Sequence, residues 1–100
     1  SMLIEMRLYT THPGQAAAFA KLYQDEGLPI QLPVGGNLTG FYRQDVGDPN
    51  QVILIWQYKS YEDRLVRRDE LFKIPEWLAF LQKAAPLVQS EENKLLTAVS

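Results

Sequence analysis

Three side chains that could carry chemistry alternate along the first segment of the sequence with strand character. Glu5, Arg7 and Tyr9 point to one face of this strand, because successive side chains of a strand project to opposite faces. The other face is apolar and carries Ile4, Met6 and Leu8. An arginine and a carboxylate in a poorly hydrated cavity could bind an anion, orient an acid or poise a base. Alternatively, Glu5 and Arg7 pair across a dimer interface against which Tyr9 packs.

A second set of charges lies on the helix predicted after Ser60. Arg64 and Arg68 are one turn apart, and two cations at this spacing repel each other modestly. Arg68 also falls in an apolar stripe with Tyr61, Leu65 and Phe72. Either a buried carboxylate or an anionic ligand would satisfy a cation in such a stripe. The alternative is that the arginine stems lie along apolar surface while their charged ends reach solvent.

Aromatic residues on the second and third predicted strands form a third candidate group. Tyr42, Trp56 and Tyr58 could line a pocket for a flat apolar ligand, or they could belong to the core or to an interface. In the third strand, one face carries Val52, Leu54, Trp56 and Tyr58, and the other carries Ile53, Ile55 and Gln57.

The chain lacks the residues that most other kinds of site require. The chain has one histidine and no cysteine, so a zinc site, a haem site or a thiolate nucleophile is not expected. His12 precedes a predicted helix and is expected to have a capping or surface role. No phosphate-binding loop or dinucleotide fingerprint is present, and we predict neither a metal nor a cofactor. Glu91 and Glu92 form a possible carboxylate pair, although a solvated strand entrance is the simpler interpretation.

The elements that must position these residues follow the order β-α-β-β-α-β, with an extra helix before the last strand. Strands are predicted over 3–10, 38–46, 51–58 and 93–99, and helices over 13–26, 60–72 and 76–85. Segment 28–36 is predicted to be a loop. This order predicts an α+β, ferredoxin-like fold in which helices cover one face of a four-stranded antiparallel sheet.

The second face of that sheet is also expected to be buried. Both faces of the first and third strands carry large apolar or aromatic side chains, and one chain cannot cover both. Packing two such sheets face to face would bury them. We therefore predict a homodimer formed through the open sheet face.

The composition limits the class of protein. A chain of 100 residues forms one domain, here 2–100, and buries about 65% of its unfolded surface. Ser1 is typical of a residue left by an expression tag and is set aside. A net charge of -2 argues against nucleic-acid binding, and no apolar run approaches the ~20 residues that span a bilayer. The lack of cysteine suits a reducing, cytoplasmic location.

Several segments resemble the NIPSNAP family over nearly the whole chain. They are residues 4–10, 12–14, 26–31, 50–56 and 58, the pairs Asp63 with Arg64 and Arg67 with Arg68, and Ser90-Glu91 with Asn93. The resemblance implies a dimeric α+β barrel and a bacterial member of the family. It also implies a cavity at the positions that match the family pattern: Glu5, Arg7, Tyr9, Trp56, Tyr58, Arg64 and Arg68. Leu54 departs from that pattern, because the family often has histidine there, and a leucine makes the cavity more apolar.

Three functions are compatible with these residues. The first is a small dimeric binding protein that holds an apolar or weakly anionic molecule between sheet and helices. The second is an enzyme like the cofactor-independent monooxygenases, relatives of this family, in which an electron-rich aromatic anion reacts directly with oxygen. The third is a dimeric scaffold with a filled interior and no ligand.

Overall fold

One antiparallel sheet organises the chain in a computed structural model, which describes residues 2–100. Ser1 lies outside the described residues. The strands are β1 (Leu3–Thr11), β2 (Asn37–Arg43), β3 (Gln51–Tyr58) and β4 (Val88–Thr97). They lie in the order β2-β3-β1-β4, and each neighbouring pair is antiparallel. The predicted ferredoxin-like α+β fold is therefore confirmed.

The helices are α1 (Ala16–Leu22), α2 (Leu28–Gln31), α3 (Tyr61–Phe72) and α4 (Pro75–Ala84). A π-helical turn, Tyr23–Gly27, joins α1 to α2, and a 3₁₀ turn, Ala85–Leu87, follows α4. The prediction that the first helix stops at Gly27 and a loop begins at residue 28 is wrong. The helical path continues because Pro29 lies in the first turn of α2. Backbone N–H groups in a first turn have no partner within the helix, so a proline there costs no hydrogen bond.

Gly27 lets α4 approach the π-helical turn. A Cβ atom at this position would lie only 2.6 Å from Cζ of Phe80, whose ring is almost fully buried. The absence of a side chain, rather than any unusual backbone angle, is what this contact requires. Gly27 therefore acts as a packing residue between the first helical segment and α4.

Helix α3 begins at the predicted capping residue. The backbone N–H of Asp63 donates to Ser60 Oγ at 3.1 Å, and the Asp63 carboxylate accepts from the backbone N–H of Lys59 at 3.1 Å. These two bonds satisfy amides at the helix start that would otherwise have no partner. They fix the start of the helix that carries Arg64 and Arg68.

The strand register decides which face of the sheet the charged residues occupy. Glu5 lies opposite Trp56 and Arg7 lies opposite Leu54, and both of these β3 residues are fully buried under the helices. The expectation that Glu5 and Arg7 pair across a dimer interface is therefore wrong. The face without helices instead carries half-exposed apolar residues: Ile4, Met6, Leu8, Ile53 and Ile55.

Strand β4 begins earlier than predicted, at Val88 rather than residue 93. It pairs along the full length of β1, from Thr97 opposite Leu3 to Val88 opposite Thr11, with an irregularity at the Thr11 end. The cause is the 3₁₀ turn, which delivers the chain to the end of β1. Glu91 and Asn93 therefore lie beside the charged face of β1 instead of preceding the strand.

The core beneath the helices is rich in aromatic rings. Tyr23 lies within 6.3 Å, between ring centroids, of the rings of Tyr9, Phe19, Phe41, Trp77 and Phe80. At helical spacing, Trp77, Leu78, Leu81 and Ala84 of α4 are expected to face inward. Leu78 is instead 44% exposed, because Phe80 occupies the inward position between Trp77 and Ala84.

Candidate functional site

A buried carboxylate lies at the centre of the charged face. Glu5 has no exposed surface, and its Oε2 accepts hydrogen bonds from Arg7 Nη1 at 3.1 Å and Arg64 Nη2 at 2.7 Å. The Tyr58 hydroxyl donates to the other oxygen, Oε1, at 3.5 Å. Of the two partners expected for an arginine on this helix, a buried carboxylate or an anionic ligand, Arg64 has the carboxylate of Glu5, which lies on β1.

The two arginines keep Glu5 ionised. Burial alone raises the pKa of the Glu5 carboxyl, but the hydrogen bond from Arg64 and the charge of Arg7 outweigh it, and the net pKa lies below its usual value. Burial and the Glu5 charge raise the pKa of Tyr58 to about 12. Tyr58 therefore stays protonated at neutral pH and can donate to the carboxylate.

Arg7 divides its donors among three partners. Besides the bond to Glu5, Nε donates to the Tyr9 hydroxyl at 3.0 Å, and Nη2 donates to Glu91 Oε2 at 3.1 Å. Burial, more than any other cause, raises the pKa of Tyr9, so this hydroxyl is neutral at physiological pH. Arg7 therefore connects the buried carboxylate to the edge strand β4.

A cavity of about 290 Å³ lies beside this network, between the sheet and the helices. Its polar lining comprises Arg7, Tyr9, Gln31, Arg68, Glu91 and Asn93. Its aromatic and aliphatic lining comprises Tyr23, Phe72, Trp77 and Leu81. The combination of ring-bearing walls and a few polar groups is typical of small-molecule sites.

Arg68 differs from the other two arginines of the site. Its guanidinium lies 5.2 Å from the centroid of the Phe72 ring, a cation–π contact. No carboxylate among residues 2–100 forms an ion pair with it, whereas Arg7 and Arg64 both contact Glu5. Arg68 is half-buried, and it therefore presents a positive charge to the cavity without an internal counter-ion.

The cavity wall also contains a polar atom without a partner. Trp77 is 4% exposed, and its indole Nε1 makes no hydrogen bond within residues 2–100. The neighbouring Tyr23 hydroxyl is satisfied, because it donates to Gln31 Oε1. A buried N–H without an acceptor is costly, and Trp77 contributes its ring to the cavity wall rather than an accessible donor.

The structure brings five of the predicted site residues into one connected group, comprising Glu5, Arg7, Tyr9, Arg64 and Arg68. Tyr58 contacts this group through Glu5 and does not itself line the cavity. Trp56 is fully buried in the core and does not line the cavity. Tyr42 is wrongly grouped with Trp56 and Tyr58, because it lies opposite Ile53 on the face without helices and is 55% exposed.

Sequence reasoning did not assign seven lining residues to the site: Tyr23, Gln31, Phe72, Trp77, Leu81, Glu91 and Asn93. Glu91 and Asn93 could have been found from the sequence, because they alternate along the last strand. In the structure, Glu91 lies opposite Tyr9 and Asn93 lies opposite Arg7. The interpretation of Glu91 as part of a solvated strand entrance is wrong for that reason. Gln31 had no such signal, since it lies in the segment predicted to be a loop.

Comparison with known proteins identifies the family. A family model described as NIPSNAP matches residues 4–100. The chain belongs to the NIPSNAP family. A NipSnap homologue of Dictyostelium discoideum is 31% identical over 98 residues, which cover 95% of this chain and 42% of that protein. A NipSnap protein of Caenorhabditis elegans is 28% identical, with coverage of 93% and 17%. The chain thus spans less than half of these curated relatives.

Solved NIPSNAP structures share the architecture closely. A NIPSNAP family protein from Agrobacterium tumefaciens has a TM-score of 0.92 and 38% identity, covering 97% of this chain and 92% of its own. A NIPSNAP-like domain protein from Burkholderia xenovorans has a TM-score of 0.94 and 40% identity, with coverage of 99% and 86%. A structure from Nitrosomonas europaea, named for antibiotic biosynthesis monooxygenases, has a TM-score of 0.73 at 11% identity, with coverage of 98% and 99%; this likeness concerns the fold alone.

Two further properties concern the residues that the structure describes. Between Met2 and Ser100, no group of three or more histidine, aspartate or glutamate side chains is arranged to hold a metal ion. No helix in the same part of this NIPSNAP chain is both long and apolar enough to cross a membrane.

The Glu5 network predicts a specific loss of stability in acid. A carboxyl group whose folded pKa is lowered stabilises the protein above its unfolded pKa of ~4.3, and this contribution disappears as pH falls through the folded pKa. We expect Glu5→Gln to cost about 3–5 kcal/mol at pH 7, because it leaves Arg64 without an anion and Arg7 with Glu91 alone. The free energy of unfolding of Glu5→Gln should also fall less than that of the wild type as the pH is lowered from 7 through the folded pKa of Glu5.

Urea unfolding at a series of pH values measures both effects. Glu70→Gln is the matched control, because it removes the same charge from an exposed position on α3 that makes no ion pair among residues 2–100. If Glu5→Gln and Glu70→Gln have the same stability at pH 7, the buried network does not stabilise the fold as described.

Proposed function

We propose that this NIPSNAP domain binds a small organic anion with an apolar, ring-bearing body in the cavity between its sheet and helices. The observation that carries the proposal is Arg68, a half-buried cation at the cavity without a carboxylate partner among residues 2–100. A charge in such a place favours an external anion, because the helix and the ring of Phe72 already hold its position.

The charge balance of the site supports an anionic ligand. Three arginines, Arg7, Arg64 and Arg68, face two carboxylates, Glu5 and Glu91, which leaves one positive charge in excess. Coulomb attraction is stronger in a poorly hydrated cavity than in water. This excess of positive charge favours an anion over a neutral molecule.

The size and walls of the cavity support a ring-bearing ligand. An apolar cavity of ~150 Å³ is large enough to bind benzene, and this cavity measures about 290 Å³. Phe72 and Trp77 supply aromatic walls. A bicyclic aromatic acid therefore matches the space, the walls and the charge. A scaffold with a filled interior does not match this cavity.

A second candidate function is the oxidation of an electron-rich phenol by oxygen without a cofactor. Arg68 would favour the phenolate, and the fold is shared with structures named for antibiotic biosynthesis monooxygenases. An anthrone would take one atom of O₂ to become a quinone, and the other atom would leave as water. Oxygen uptake that requires the protein and falls in Arg68→Ala supports this reaction. An anthrone consumed at the same rate with and without protein rules it out.

The dimer that we propose uses the face of the sheet without helices. Ile4, Met6, Leu8, Ile53 and Ile55 form a continuous apolar surface there, because they alternate with the buried residues of two adjacent central strands. A soluble monomer rarely leaves such a patch uncovered. A second copy presents the same surface, so two sheets can pack face to face about a two-fold axis.

Removal of the free cation should weaken anion binding. We expect 1-naphthoate to bind the wild-type protein in isothermal titration calorimetry and Arg68→Ala to weaken the binding at least tenfold, since a hydrogen bond to a charged group contributes about 1.5–3 kcal/mol. Arg67→Ala is the matched control, because Arg67 is the next residue of α3 but pairs with Asp63 and does not line the cavity. Equal binding in the two variants, or no binding to the wild type, contradicts the proposal.

A charge on the open sheet face should break the dimer. We expect light scattering to give twice the chain mass for the wild type and the single chain mass for Ile55→Asp, because a buried carboxylate without a partner is strongly unfavourable. Val66→Asp is the control, since Val66 is 57% exposed on α3, away from the sheet. A monomeric wild type, or a dimer that survives Ile55→Asp, argues against this interface.

A further inference from the structure

We infer that the ligand's anionic group is a carboxylate and that it replaces Glu91 on Arg7 when the ligand binds. The inference rests on the proposed function and names the ligand class and an internal competitor for the same site. Glu91 accepts a hydrogen bond from Arg7 Nη2 at 3.1 Å from within the lining of the cavity. Glu91 thus occupies the position of a ligand carboxylate.

The two carboxylate partners of Arg7 are unequal. The side chain of Glu5 is 1% exposed and is also held by Arg64, whereas the side chain of Glu91 is 35% exposed and forms its ion pair with Arg7 alone among residues 2–100. Glu5 cannot leave without depriving Arg64 of its ion-pair partner among residues 2–100. Glu91 can turn to water, where a carboxylate is well solvated. Glu91 is therefore the partner that a ligand can replace.

The surroundings of Glu91 leave room for this movement. Glu91 lies on β4, which is at the edge of the sheet, next to β1 only. It lines the main cavity and also a second, more open cavity of about 340 Å³ on the side of Leu81 and Val88. A rotation of its side chain toward that opening would free Arg7 Nη2 without moving the strand.

The present contacts of Arg7 indicate a carboxylate as the incoming anion. Arg7 already holds a carboxylate at Nη2, through one oxygen of Glu91 at 3.1 Å, while its Nε and Nη1 donate to Tyr9 and Glu5. Exchange of one carboxylate for another keeps Arg7 neutralised throughout. A neutral ligand of the same shape cannot displace Glu91, because it would leave the largely buried Arg7 with one anionic partner fewer. The internal ion pair therefore selects against neutral molecules.

Removal of the competitor should tighten binding of a carboxylate. We expect Glu91→Gln to lower the Kd of 1-naphthoate about tenfold in isothermal titration calorimetry. Glu92→Gln is the control, since it changes the net charge equally on the same strand but lies opposite Leu8 on the other face. Thermal unfolding of each variant verifies that it is folded.

A second variant separates competition for Arg7 from a general charge effect. Glu91→Asp keeps the charge but shortens the side chain, so that its carboxylate no longer reaches Arg7. We expect it to tighten 1-naphthoate binding nearly as much as Glu91→Gln does. If Glu91→Asp binds 1-naphthoate with the Kd of the wild type, the tighter binding of Glu91→Gln reflects its net charge. The inference that the ligand replaces Glu91 on Arg7 is then wrong.

The remaining outcomes distinguish this inference from the proposed function. If the wild type binds 1-naphthoate and Glu91→Gln binds it equally well or more weakly, Glu91 is not a competitor, while the proposed anion site stands. If neither protein binds 1-naphthoate, both the site and the inference are overturned.

Discussion

The burial of one carboxylate constrains the whole site. Glu5 lies on a central strand with no exposed surface, so it must either lose its charge or be surrounded by cations. The fold meets this requirement with one arginine from the same strand and one from α3. The sheet and that helix are therefore joined by charge as well as by apolar packing, and removal of Glu5 would leave Arg64 without an ion-pair partner among residues 2–100.

The position of the cavity follows from this constraint. Because Arg64 must reach Glu5, α3 is held with that face toward the sheet, and Arg68, one turn later, comes to lie at the cavity. Arg7 uses its remaining donors on Tyr9 and Glu91, which extends the network to the edge strand. The result is a pocket with aromatic walls, one cation without a counter-ion and one replaceable carboxylate. These features favour an organic acid.

The alternation of residues along the sequence was sufficient to predict β1 and β3 and to place Glu5, Arg7 and Tyr9 on one face of β1. It left the partner of Arg64 open. It could not decide which face the helices cover, because both faces of β1 and β3 carry large side chains. Only the register, which sets Glu5 opposite Trp56, resolves this and moves Tyr42 to the open face. Gln31 and Trp77 join the cavity through tertiary packing of α2 and α4, which leaves no local pattern in the sequence.

A crystal structure of the protein with 1-naphthoate would show whether the cavity binds an organic anion through its arginines. We expect the ring system to lie between the walls formed by Phe72 and Trp77. Its carboxylate should lie within hydrogen-bond distance of Arg68 and Arg7, with Glu91 turned toward solvent. A ligand bound elsewhere, or one whose carboxylate contacts neither arginine, would contradict the claim that the excess positive charge of this cavity exists to hold an organic anion.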